Sequence, residues 1–361
     1  MKLLFLTINL CGGGAERVLV NLVNNLVERG HSITVRSVID QGDNRELLSP
    51  LVTYEYVFQK GFKGINYLYL LPHKWIYNKL CYGEYDIVIP YLHGMLTRVV
   101  SYAPKKQKTI AWLHADMKQS KFMQKLIKDN KVEECFCNYD LIAAVSETVK
   151  ASFIEITGIS ENVVTCYNVF DIPRIIQSSE ETVSLPFAKY HLVSVGKLER
   201  VKGYLRLLTV FNKLVKEDGL DLFLTIAGEG SERNGIEAFI SNNHIQDRIL
   251  LTGYDTNPYK YIANSDLFIC SSYTEGFSSV VAESIILGTP VVSTDVSGAR
   301  EMLGDSEYGI VVDNSEDGLY YGIKTCLGNM AYWKEKVKER SNFFSIDEVV
   351  GSTEKKFRGI L

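Results

Sequence analysis

Apolar runs of strand length alternate with stretches of helix length along nearly the whole chain, and the series starts twice. The first series has strand-like runs at 2–8, 32–38, 86–90, 109–113, 141–145 and 163–167, with a helical pattern at 15–29 closed by Gly30. The second has them at 191–195, 222–227, 249–251, 267–270, 290–293 and 310–312. Between the two, 170–186 loses periodicity and gains Ser, Glu and Pro, as a linker does. Continuously apolar strands separated by helices mean parallel sheets covered on both faces. The pattern predicts an α/β fold of two Rossmann-like domains, at 1–172 and 187–345, with parallel sheets facing a central cleft. A chain of 361 residues is long enough for both. A last helical pattern covers 346–357.

Composition removes several function classes. A hydrophobic content of 46% and a charged content of 23% are ordinary for a folded soluble protein. The net charge of −4 gives no reason to expect nucleic acid. The seven cysteines are scattered, with Cys135 and Cys137 the one close pair and no Cys-x-x-Cys, so neither a zinc nor a thioredoxin-like site is indicated. Reduced, buried thiols in a cytoplasmic protein are the expectation. The short apolar start runs into Gly12, Gly13 and Gly14, which suits a first strand and its turn better than a secretion signal. No stretch is long and apolar enough to span a membrane.

The segment from Tyr273 to Ser284 carries the most chemistry. Glu275 and Glu283 stand on either side of a turn that becomes a helix. Gly276 lets the backbone approach a ligand there, beside Phe277, and Ser278 and Ser279 suit a helix N-cap. Amides at a helix start bind phosphate, whereas carboxylates accept hydrogen bonds from hydroxyls. That combination fits a nucleoside-diphosphate sugar.

Glu275-x7-Glu283, followed by Gly288-Thr-Pro-Val-Val292 and Gly298, resembles the signature of retaining glycosyltransferases of family four, which have the GT-B fold. Further elements follow in the expected order: Gly12–Gly14 after the first strand, Val195-Gly196-Lys197-Leu198 with Lys202-Gly203, and Ala227-Gly228-Glu229-Gly230. The resemblance covers nearly the whole chain and is strongest from about His191 to Gly309. It implies transfer of a hexose or N-acetylhexosamine from a nucleoside-diphosphate sugar, UDP-sugar favoured, with retained anomeric configuration. The acceptor would be a saccharide, lipid-linked in bacterial surface glycan synthesis. It also implies that a helix at about 346–361 packs back on the first domain.

On this resemblance His114, Lys197, Lys202 and Glu275 take catalytic positions. Lys197 stands where the motif usually has arginine, and Arg200 is close enough to share its role. Lysine keeps the charge but loses the planar fork. Both lysines would offset charge building on the departing diphosphate. His114 ends a strand at the edge where open α/β sheets bind ligands. Gly13, Gly14, Gly196, Gly228, Glu229 and Gly230 let loops approach the donor, with Tyr254, and more weakly Asn257, near its base. Gly12 and Arg17 face the acceptor. Gly12 and Gly14 fit a dinucleotide fingerprint, but Arg17 takes its third glycine position. For each of these the plainer alternative is ordinary turn or surface chemistry.

No Asp-x-Asp occurs, so the expectation is no metal and no cofactor beyond the co-substrate. Retaining hydrolases hold two carboxylates about 5 Å apart. Eight residues of helix rise about 12 Å, so Glu275 and Glu283 make a poor pair of that kind. A nucleotide-sugar epimerase of the same two-domain fold and a non-catalytic sugar-nucleotide sensor stay open as alternatives.

The segment 60–83 holds Lys60, Lys63, Lys74 and Lys79 among Phe62, Tyr67, Tyr69, Trp75 and Tyr77, with no Asp or Glu. An interfacial helix on an anionic membrane wants this mixture. Lys118, Lys121, Lys125 and Lys128 have the spacing of one helix face. A cytoplasmic protein, peripheral on the inner face of the cell membrane, is one reading; a solvated basic face over a normal core is the other.

Overall fold

The computed structural model describes residues 1–11, 13–61 and 64–361, with the side chains of Asn66 and Tyr69 left out. Gly12, Phe62 and Lys63, each singled out in the sequence, lie outside the described residues. The chain forms two compact units, Met1–Phe170 with Ile346–Leu361, and Asp171–Ser345.

The first unit is a seven-stranded parallel sheet of β1 (Lys2–Thr7), β2 (Ser32–Ile39), β3 (Thr53–Phe58), β4 (Ile87–Pro90), β5 (Lys108–Leu113), β6 (Leu141–Ala144) and β7 (Val163–Thr165), in the order β3-β2-β1-β4-β5-β6-β7. Leu3, Leu4, Phe5 and Leu6 of the central β1 are buried on both sides, which is why that run reads as unbroken apolar sequence. The edge strand β3 was not expected. It pairs with β2 alone, and its Thr-Tyr-Glu-Tyr-Val-Phe run is half exposed, so it lacks the apolar run of an inner strand. Arg36 of β2, 1% exposed, pairs with Glu55 of β3 at 2.6 Å and donates to the carbonyls of Leu80 and Tyr82. It thereby pins the end of helix His73–Leu80 to the sheet. Helix Ile346–Arg358 belongs to this unit, with Phe357 fully buried edge-on to Trp112 and Asp347 paired to Arg29.

The second unit repeats the scheme with six parallel strands, β8 (Tyr190–Val195), β9 (Leu222–Ala227), β10 (Ile249–Gly253), β11 (Leu267–Cys270), β12 (Val291–Thr294) and β13 (Ile310–Val312), in the order β10-β9-β8-β11-β12-β13. Helix Tyr204–Lys216 packs Leu207, Phe211 and Leu214 into its core. The stretch read as an irregular linker holds a helix, Ile172–Ser179. Asp171 caps it, Pro173 sits in its first turn where a missing N–H costs nothing, and Ile175 is buried.

The topology places the functional loops. In an open parallel sheet, ligands bind outside the carboxyl ends of the strands where the order reverses. In the first unit that point lies between β1 and β4, and in the second between β8 and β11.

Candidate functional site

The loops leaving β8 and β11 flank the reversal point of the second sheet and are stitched together. Ser271 Oγ donates to the Lys202 carbonyl at 2.9 Å, and the Tyr273 N–H to the Val201 carbonyl at 2.7 Å. Gly203, at φ 68°, permits this approach, since a Cβ there would stand 2.2 Å from the Ser271 carbonyl oxygen.

This brings Lys202 and Glu275 into direct contact. Lys202 Nζ lies 2.7 Å from Glu275 Oε1, and Ser272 Oγ donates to the same oxygen at 2.6 Å. Both recorded bonds use one oxygen, which leaves Oε2 for a further donor. The Glu275 side chain is 12% exposed and that of Lys202 27%. Burial pulls the Lys202 pKa down, but the Glu275 charge and hydrogen bond outweigh it and the net shift is upward. Lys202 is therefore a half-buried cation at neutral pH.

Just beyond Glu275, Gly276 and the buried Phe277 lead into helix Ser279–Ile286. Ser278 holds the N-cap position, but its hydroxyl makes no capping bond, contrary to expectation. Its Oγ is buried without a partner, on a residue 3% exposed. Ser279 is the first helical residue. Glu283 is half-buried one turn on, and Tyr259 Oη donates to its Oε1 at 3.4 Å.

Other predicted positions sort differently. Lys197 and Arg200 are exposed on the β8 loop, flanking buried Leu198. Gly228 and Gly230 were expected to make room for a ligand. A Cβ on Gly228 would stand 1.9 Å from the Gly196 carbonyl oxygen and one on Gly230 2.4 Å from that of Leu198, so both glycines let two loops of this unit pack closely. Glu229 is ion-paired with Arg233 at 2.6 Å. Tyr254 is exposed, and the Asn257 side chain donates to the Ser178 carbonyl and to Glu181, joining helix Ile172–Ser179 to this loop.

In the first unit Gly13 is the N-cap of helix Gly14–Glu28, where a Cβ would meet the Glu16 carboxylate at 2.2 Å, and the Arg17 N–H donates to the Gly13 carbonyl at 3.1 Å. His114 follows β5 with its Nε2 buried and unpartnered, and its N–H donates to His93 Nδ1 at 3.3 Å. Burial, then His93, push the His114 ring down to about 3, against a hydrogen bond to the Tyr91 backbone. Burial holds His93 at about 4. Both rings are neutral at pH 7 and can share hydrogen bonds without carrying charge. His93 was not anticipated. Its signal was its place just past β4, on the other side of the reversal point from the loop after β1.

The basic features are also rearranged. Lys118 lies in a separate short turn, Met117–Gln119, and pairs with Glu155 at 2.7 Å. Only Lys121, Lys125 and Lys128 share helix Lys121–Lys128, so the four do not form one helix face. Among the described residues of 60–83 only His73–Leu80 is α-helical, and it buries Ile76, Tyr77 and Leu80 while Lys74, Trp75 and Lys79 stay exposed. Among the described residues no three His, Cys, Asp or Glu side chains converge as a metal site would require, and no helix is long and apolar enough to cross a membrane.

Two Rossmann-like units of this sheet order are what a GT-B fold requires, and comparison with known proteins identifies that fold. Residues 12–174 match the model of Glycosyltransferase Family 4, and 178–337 that of Glycosyl transferases group 1. The structure of Anabaena HepE in complex with UDP superposes with a TM-score of 0.76 at 18% identity, covering 99% of this chain and 100% of that one. The chain belongs to the GT-B glycosyltransferases of the family-four type.

Two relatives give the likeness a range. One is the N-acetylgalactosamine-N,N'-diacetylbacillosaminyl-diphospho-undecaprenol 4-alpha-N-acetylgalactosaminyltransferase of Campylobacter jejuni, 36% identical over 183 residues, 49% of this chain. The match spans about half the length of that relative, 48%. The other is the lipopolysaccharide core biosynthesis glycosyltransferase LpsD of Rhizobium meliloti, 25% identical over 317 residues, 86% of this chain and 84% of that one.

Proposed function

We propose that the protein transfers a hexose or N-acetylhexosamine, with retained configuration, from a nucleoside-diphosphate sugar to a saccharide acceptor in bacterial surface glycan synthesis. The observation that carries this reading is the Lys202–Glu275–Ser272 constellation beside the start of helix Ser279–Ile286. A half-buried cation, the amides of a helix start and a buried unpartnered hydroxyl suit a diphosphate. The two carboxylates suit hydroxyls, Glu275 those of the sugar and Glu283 those of the ribose. Binding would shift Lys202 from its carboxylate partner toward phosphate, freeing Glu275 for the sugar. UDP is the favoured nucleotide, because the HepE structure holds it.

In this mechanism the bond from the anomeric carbon to the phosphate oxygen breaks as the acceptor oxygen bonds to the same carbon on the same face. The acceptor proton passes to a phosphate oxygen. No protein carboxylate becomes a nucleophile. Lys202, with Lys197 and Arg200 at the rim, and the helix amides offset the developing charge, so we assign no metal. We assign neutral His114 a hydrogen bond to the sugar, Gly13 and Gly14 to the donor and Arg17 to the acceptor. The expected result is a product whose anomeric signals in NMR match the donor's configuration, formed at an undiminished rate in EDTA. An inverted product would contradict the mechanism, and activity lost in EDTA and restored by Mg2+ would contradict metal independence.

A lipid-linked acceptor is the favoured one, since the Campylobacter relative's name specifies a diphospho-undecaprenol substrate. In the segment 60–82 of the first unit, Tyr67, Leu70, Trp75 and Tyr82 are each more than half exposed, and Lys60, Lys74 and Lys79 are exposed as well. We assign this segment to an anionic membrane surface. Each lysine near such a surface contributes on the order of 1 kcal/mol. Co-sedimentation with anionic vesicles at low salt is therefore expected, falling sharply when Lys60, Lys63, Lys74 and Lys79 are replaced together. An unaltered chain that ignores those vesicles would remove the membrane assignment and leave the donor site intact.

A further inference from the structure

The loop that carries Glu275 is held from behind by two residues that the donor-site reading does not use. Arg206, on helix Tyr204–Lys216, is 4% exposed. Its guanidinium donates to the Ser271 carbonyl from Nε at 2.7 Å, to the Ser272 carbonyl at 2.6 Å and to Asn314 Oδ1 at 2.7 Å. Its guanidinium carbon lies 3.9 Å from the centre of the Tyr273 ring. Asn314, exposed just after β13, returns an Nδ2–H bond of 3.0 Å to the Tyr273 carbonyl. Three successive carbonyls are thus fixed by one buried and one exposed side chain. A planar fork of donors suits this arrangement, and an ammonium would not reproduce it.

Ser272 links the two sides of the loop. Its carbonyl is held by Arg206 and by Thr294 Oγ1 at 2.7 Å, and its hydroxyl holds Glu275 at 2.6 Å. A shift of the backbone at Ser272 therefore moves Glu275 against Lys202. We infer that Arg206 and Asn314 form a clamp that positions Glu275 for sugar transfer, acting through Ser272. The role of Glu275 rests on the function proposed above; the clamp is a property of the loop.

The test is hydrogen exchange on the full chain, followed by kinetics, with Asn314→Ala as the main variant because the residue is exposed. Arg206→Lys is the second. Loss of a clamp bond is expected to speed amide exchange across 271–277 about tenfold while β11 stays protected. Turnover should fall about tenfold, with affinity for UDP, the probe nucleotide, within about twofold, because only the sugar-facing carboxylate is displaced. Unchanged exchange in Asn314→Ala would overturn the clamp. Faster exchange with unchanged turnover, or an equal loss of UDP affinity, would overturn its positioning role. Exchange needs no substrate, so it decides the clamp even if no donor is turned over, an outcome that would sink the transfer reading instead.

Discussion

Alanine in place of Lys202 is expected to lower turnover about 100- to 1,000-fold, the scale on which removal of one preorganised transition-state donor acts. The reason is local. Lys202 is held half-buried and charged by Glu275, so its charge stands in place before the diphosphate begins to leave. Donor affinity should fall less, because the helix amides bind ground-state phosphate without it. The substitution also leaves Glu275 with Ser272 as its remaining recorded partner. Lys202→Ala and Glu275→Ala should consequently be non-additive, the double variant being less impaired than the product of the two single effects. Initial rates at saturating donor, with circular dichroism to show the fold intact, check this. Turnover within about threefold of normal would deny Lys202 its role.

The two glutamates should fail in different ways. Glu275→Ala should depress turnover more than donor affinity, since its carboxylate serves the sugar as that group departs. Glu283→Ala should mainly weaken donor binding. A hydrogen bond to a charged group is worth about 1.5–3 kcal/mol, which is about ten- to a hundred-fold in either constant. Separate measurement of kcat and of nucleotide affinity in each variant distinguishes the two. Identical profiles would mean that the carboxylates are not divided between sugar and ribose.

Much of this was legible in the chain. Inner strands such as β1, β9 and β11 are buried on both faces, so their sequences are continuous apolar runs with sharp ends. The edge strand β3 was not legible, because one neighbour and a half-exposed face leave Tyr54, Glu55 and Tyr56 without that pattern. Helix Ile172–Ser179 was hidden by its polar composition, although Asp171 and Pro173 are ordinary marks of a helix start. At the site, residue types and spacing singled out Glu275 and the helix start, and the family resemblance added Lys202. They did not show that Lys202 and Glu275 pair, since that contact depends on two loops meeting between β8 and β11. Nor could they show Arg206 and Asn314, whose partners include main-chain carbonyls with no sequence identity to read. Gly228 and Gly230 were noticed for close approach, and the close approach seen at both is to main-chain carbonyls, those of Gly196 and Leu198.

The most direct test of the central claim is nucleotide release measured across a panel of nucleoside-diphosphate sugars, with and without a lipid-linked saccharide acceptor. Release of nucleoside diphosphate that requires acceptor, with UDP-sugars turned over fastest, is the predicted result. Isomerisation of the donor without acceptor would identify an epimerase, and tight donor binding with no turnover of any donor would identify a sensor; either would contradict a transferase built around Lys202 and Glu275.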